Sequence, residues 1–179
     1  MAEAGTLHDA FIDELRDTYD AEKQLTKALP KLAKAASNPK LRQAFENHLA
    51  ETQGQVARLE QVFESLDEKV RGKHCDGIAG IIDEGKSIME EDFDETTMDA
   101  CLIAAGQRAE HYEMAAYGTL VAWAQAMGPA RLQSSCSRRS TRGKPRTKSS
   151  PVSRKAASTR TRPRPPIQTG MKKPWQSAG

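Results

Sequence analysis

Two stretches of this sequence put carboxylates where a packing helix would carry apolar side chains. In GQRAEHYEMAAYG, residues 106–118, Glu110 stands between Gln107 and Met114 at helical spacing, and Glu113 follows one turn on, on the flank of the same face. In DTYDAEKQL, residues 17–25, Glu22 stands between Thr18 and Leu25. A third stretch carries Glu51 and Gln55 beside its stripe, with His48 on the same edge. A buried carboxylate without a partner is costly, and these faces bring no inward Lys or Arg to offset it. A pair of iron or manganese ions would, because both metals take carboxylate and imidazole ligands and helical bundles hold such ions between facing helices. The competing reading lets each Glu reach solvent along the flank of its helix. On that reading His48 and His111 are surface or interhelix histidines, and Tyr19, Tyr112 and Tyr117 are packing groups, Tyr117 on the inner face near Glu110.

The elements that must position these groups are helices. Phe11, Leu15, Thr18, Leu25 and Leu29 recur at spacings of three, four and seven, and Pro30 either kinks this helix or ends it. Asn38 and Pro39 suit the cap and first position of a second helix, with Phe45, Leu49, Thr52, Val56, Leu59 and Phe63 inward. HCDGIAGIIDEGKSIME predicts a shorter helix with Ile78, Ile81, Ile82 and Met89 inward. The last helix starts near residues 94–97 and runs to about Met127, with Gly128 and Pro129 as its stop. Its predicted inner stripe is Ile103, Gln107, Glu110, Met114, Tyr117 and Val121. Long helices with short connections predict an all-α antiparallel bundle.

The chain has 179 residues, enough for one domain with a core. Its net charge of +3 conceals a division. Residues 134–179 hold 13 of the 27 Lys and Arg and none of the Asp and Glu, which leaves 14 bases against 24 acids in residues 1–133. Cys75, Cys101 and Cys136 form no CxxC pair and no secreted disulfide framework, which predicts a reducing compartment. MAEAGTLHDAF lacks the basic start and apolar run of a signal peptide, and no stretch approaches the roughly 20 apolar residues of a membrane helix. The expectation is a soluble, cytoplasmic protein with no membrane partner.

The motifs DTYDAEKQL, HLAETQGQ and AEHYEMAAYGTL resemble the YciF/YciE family of bacterial ferritin-like stress-response proteins, and the resemblance spans residues 6–133. It implies a ferritin-like bundle, a homodimer and a dimetal site. By motif position it implies Glu22, Glu51, Glu110 and Glu113 as the metal ligands, with Gln55 as a weaker ligand or a hydrogen-bonding neighbour of one. Gln107 and Tyr117 are the other candidates for that supporting role. No catalytic residue is assigned. Neither Glu51 nor Glu110 has a His three residues on, so the Glu-x-x-His pair common in ferritin-like sites is missing.

Residues 134–179 depart from that pattern. Family members continue past the position of Gly128 into a fourth acidic helix, whereas this chain carries SSCSRRSTRGKPRTKSSPVSRKAASTRTRPRPP, too rich in Ser, Arg and Pro to build a core face. Shifting the codons of residues 136–150 and 156–159 by one base permits the acidic-helix pattern and then Gly-Gly-Ile-Asn, in order. The expectation is therefore a bundle domain over residues 1–133 and a disordered basic tail over 134–179, the product of a frameshift near residues 133–136, replacing the last helix. As it stands, the tail would contact nucleic-acid phosphates through Arg138, Arg139, Arg142, Arg146, Arg160, Arg162 and Arg164, without sequence readout. A third possibility is a non-catalytic helical dimer that serves as an interaction module.

Overall fold

The computed structural model describes residues 5–140, and side chains as far as residue 128. Among them are four helices and no strand: α1 (Leu7–Ala35), α2 (Pro39–Ser65), α3 (Asp76–Met89) and α4 (Glu95–Ser140). The predicted all-α architecture is observed. The basic segment lies almost wholly outside the described residues, although α4 reaches seven residues past the compositional boundary at 133.

Local chemistry sets the ends. Thr6 and Asp9 form a reciprocal capping box at the start of α1. Asn38 caps α2 through the Lys40 amide, with Pro39 in the first turn, as the sequence predicts. Pro30 does not end α1, which continues to Ala35. Gly128, at φ 67° and ψ 160°, breaks the helical path of α4 where the sequence places a stop, and helical backbone resumes beyond it.

The helices alternate in direction. Tyr19 meets Phe63 edge-on and Leu29 shares a cluster with Phe45, so α2 runs antiparallel to α1. The connection from α2 then climbs back along α1. Arg16 pairs with Glu68 at 3.1 Å, the Lys73 amide donates to the Arg16 carbonyl, and the Cys75 amide donates to Asp20 Oδ2 at 3.0 Å. α3 packs on the C-terminal half of α1, and α4 returns antiparallel to both. At the far end Asp99 of α4 accepts the Ser37 and Asn38 amides, both at 2.8 Å, and fastens the α1–α2 turn to the start of α4.

The core is divided in two. One apolar cluster gathers Leu25, Leu29, Phe45, Ile78 and Leu102 around the C-terminal half of α1. The other gathers Phe11, Leu15, Phe63, Leu120 and Met127 around its N-terminal half. At their junction lie the buried polar side chains Thr18, Glu22, His48, Thr52 and Glu113. This layer is what the fold positions.

One predicted face requires correction. The buried side of α4 is Leu102, Ala105, Ala109, Glu113, Ala116 and Leu120, while Ile103, Met114 and Val121 are exposed at 37%, 45% and 49%. The inner face is rotated by one residue from the predicted stripe, so Glu113 sits at its centre and Glu110 at its edge.

Candidate metal centre

Glu22 is 1% exposed, on the stripe of α1 that the sequence marks as inward. Tyr117 of α4 donates its hydroxyl to Glu22 Oε1 at 2.7 Å. The other oxygen, Oε2, is buried and has no hydrogen-bond partner among the described residues. Burial, and then the nearby charge of Glu113, push the Glu22 carboxyl up to about 8. The Tyr117 hydrogen bond and the charges of His48 and Arg58 pull the other way without cancelling the rise. Burial and the Glu22 charge likewise raise the Tyr117 phenol, so it stays protonated as a donor.

His48 crosses from α2 to meet α4. Its Nε2 lies 3.3 Å from Glu113 Oε2 and 3.5 Å from Glu110 Oε1. Burial works against a charged imidazole here, but the Glu113 hydrogen bond and the charges of Glu113, Glu110 and Glu22 outweigh it and raise the His48 pKa. One ligand atom from each of His48, Glu110 and Glu113 can be chosen so that all three lie within 4.8 Å of one another.

The structure thus brings Glu110 and Glu113 together and sets Glu22 beside Glu113. Glu51 is exposed on α2, three residues after His48, and Gln55 is half-buried one turn further on. Gln107 is exposed on the outside of α4, where its carbonyl meets His111 Nδ1 at 2.8 Å. Tyr117 hydrogen-bonds Glu22 of α1.

The central group of the site is His48, which the sequence leaves on the edge of its helix as a surface or interhelix histidine. It lies three residues after Phe45 and four before Thr52, both fully buried, and that spacing was the available signal. The sequence does not single out Arg58. It is exposed on α2, yet its charge acts on Glu22, so a cation does face the layer from its rim.

The donor set of one imidazole and several carboxylates suits iron or manganese. The unpartnered Glu22 Oε2 is the observation that fits a bound cation, since a buried carboxylate oxygen otherwise loses its hydration without return.

Comparison with known proteins agrees with the fold. The sequence profile of a family described as DUF892, a domain of unknown function, matches residues 6–142. Protein YciF of Escherichia coli K12 is 50% identical over 124 residues, which cover 69% of this chain and 75% of that protein. The crystal structure of the E. coli stress protein YciF superimposes with a TM-score of 0.67 at 45% identity, covering 78% of this chain and 90% of that one. YcfI of Rhodopseudomonas palustris, described as a candidate structural protein, superimposes with a TM-score of 0.70 at 42% identity, covering 77% and 88%. With its profile match, its half-identical relative and its shared helical architecture, this chain belongs to the DUF892 family and is a homologue of the stress protein YciF.

Proposed function

We propose that the protein is a cytoplasmic stress-response protein that holds iron or manganese between α1, α2 and α4. The observation that carries this reading is the convergence of His48, Glu110 and Glu113 within 4.8 Å, beside the buried and half-satisfied carboxylate of Glu22. His48, Glu110 and Glu113 would hold the first ion, with Glu22 closing the set from α1. A second ion would draw on Glu51, three residues after His48. When bound, such an ion supplies open coordination positions to peroxide or dioxygen. The chain's own part is to keep the ligands dry between two apolar clusters and to hold the proton of Tyr117 on Glu22 Oε1.

Elemental analysis after anaerobic loading with Fe(II) or Mn(II) tests this. Stoichiometric metal that is lost in His48→Ala and Glu113→Ala supports the site. Glu51→Ala separates the two stoichiometries, because only a two-ion site loses half its metal. No metal in the folded wild-type chain would remove the proposal.

A second reading has its own observation. Ile103, Met114 and Val121 form an exposed apolar stripe along α4, a surface that a second copy of the chain would cover. The resemblance to YciF implies a homodimer, and the description of the R. palustris relative as a candidate structural protein suits a non-catalytic role. Sedimentation of the wild type and of Met114→Glu with Val121→Glu tests it. A dimer that the two charges dissociate supports this reading, and a monomeric wild type removes it.

A further inference from the structure

A cleft of about 430 Å³ opens between α1, α3 and α4, on a different side of the bundle from the exposed stripe of α4. Its volume falls within the range of about 300–1,000 Å³ common for small-molecule sites. Its walls are Leu32 of α1, Ile81, Ile82 and Met89 of α3, and Ala105 and Ala109 of α4. Gly85 faces into it. A Cβ built there would meet only Ala105 Cβ and Leu32 Cδ2, both at 3.9 Å. The small side chains of Gly85, Ala105 and Ala109 leave the space between α3 and α4 unfilled. The floor of the cleft is His48.

The rim has a different character. Lys27, Lys31 and Lys86 line it. Lys86 also pairs with Asp83, whereas Lys27 and Lys31 form no ion pair among the described residues. The one acidic side chain in the lining, Asp20, already accepts from Gln24 Nε2 at 2.7 Å and from the Cys75 amide at 3.0 Å. Three lysines converge here although residues 1–133 carry 24 acids against 14 bases. An apolar slot beneath a cationic rim matches a ligand with an apolar chain and an anionic head.

We propose that this cleft binds an acyl-chain carboxylate, with its chain between Ile81, Ile82 and Ala105 and its head toward Lys27 and Lys31. None of the rim or wall residues is a candidate metal ligand, and the cleft meets the candidate metal centre only at His48.

Isothermal titration of the full chain with decanoate and with decanol, below micelle-forming concentrations, tests the assignment. Saturable one-to-one decanoate binding is expected. Gly85→Leu fills the slot and should weaken binding at least about tenfold, while circular dichroism shows an unchanged fold. Lys27→Gln with Lys31→Gln should weaken decanoate several-fold and leave decanol unaffected. The basic C-terminal segment is common to every variant, so non-specific capture by it would survive Gly85→Leu. No saturable binding, or equal binding by a folded Gly85→Leu chain, overturns the site. Equal affinity for decanol with no effect of the lysine changes overturns the carboxylate. Should Gly85→Leu not fold, methyl resonances of Ile81 and Ile82 in the wild type decide the matter, because they must shift on decanoate titration and an unmoved pair overturns the proposal.

Discussion

Tyr117 and Glu22 stand 95 residues apart in sequence and 2.7 Å apart in space, joined by a hydrogen bond from the phenol to the carboxyl across the α1–α4 contact. Among the described residues Tyr117 is the one hydrogen-bond partner of Glu22 Oε1, and Oε2 has none. Tyr117→Phe would therefore leave a buried carboxyl wholly unsatisfied. The expected cost is about 1–3 kcal/mol of unfolding free energy at neutral pH, read from urea melts of metal-free protein. An unchanged midpoint would mean that water replaces the phenol.

The pH dependence of the metal-free protein follows from the same layer. Glu22 is held protonated up to about 8 in the folded chain, far above its ordinary value of 4.5. Between those values the folded state binds more protons than the unfolded state, so this group's contribution to stability falls as pH rises from about 5 to 8. His48, raised above its ordinary 6.5, acts in the same direction. Its contribution is complete below 6.5 and is lost as pH climbs through its folded value. Denaturant melts should show stability declining across this window, and Glu22→Gln should flatten the decline and be more stable than wild type at pH 8. Metal loading should reverse the slope, because ligands must shed protons to bind. A metal-free protein that gains stability from pH 5 to 8 would contradict the geometry.

Two buried hydroxyls bracket the site. Thr18 lies one turn before Glu22 and Thr52 one turn after His48, and neither Oγ1 has a hydrogen-bond partner among the described residues. A buried hydroxyl without a partner costs its desolvation and returns nothing. Thr18→Val and Thr52→Val should each hold or raise the stability of the metal-free protein, by up to about 1 kcal/mol. If the hydroxyls instead orient a bound ion or its waters, the same changes should lower metal affinity in a loading assay.

How far the sequence shows this fold depends on side-chain size. In α1 and α2 most of the large apolar residues are buried, so Phe11, Leu15, Leu25 and Leu29, and Phe45, Leu59 and Phe63, are legible from spacing alone. In α4 the pattern misleads. Three of its large apolar residues, Ile103, Met114 and Val121, face outward, and between Leu102 and Leu120 it presents Ala105, Ala109 and Ala116 to its neighbours. Small residues let helices approach closely, and a stripe drawn through bulky side chains misses that. The same one-residue rotation explains why Glu113, not Glu110, is the more buried carboxylate, and Gln107 loses its inner position with it. Glu22 was legible because α1 was. His48 was not, because an imidazole on the edge of a stripe reads equally well as a surface group until α4 is placed opposite it.

Two glycines of α3 should respond in opposite directions to alanine. A Cβ on Gly77 would come within 2.6 Å of Tyr112 Cε2. It would push the ring whose hydroxyl lies 2.9 Å from Cys75 Sγ and donates to Asp17 at 3.0 Å. Gly77→Ala should thus lose about 1–3 kcal/mol. A Cβ on Gly85 meets nothing closer than 3.9 Å, so Gly85→Ala should gain about 0.5–1 kcal/mol from helix propensity and a less free unfolded chain. Thermal melts of the two variants check the pair.

The charge division between residues 1–133 and 134–179 gives the last expectation. With 13 Lys and Arg and no acid, the C-terminal segment should bind duplex DNA through phosphates, with Arg138, Arg139, Arg142, Arg146, Arg160, Arg162 and Arg164 among the contacts. The acidic remainder should not. Met127 is the last buried residue described, so a chain ending at Gln133 keeps every described core side chain. Fluorescence anisotropy should show the full chain binding duplexes of unrelated sequence alike, with affinity falling linearly in log–log plots against salt. The shortened chain should show no binding and the same metal content. Loss of metal on shortening would tie the segment to the centre. Loss of neither activity would place the DNA contact on the helices.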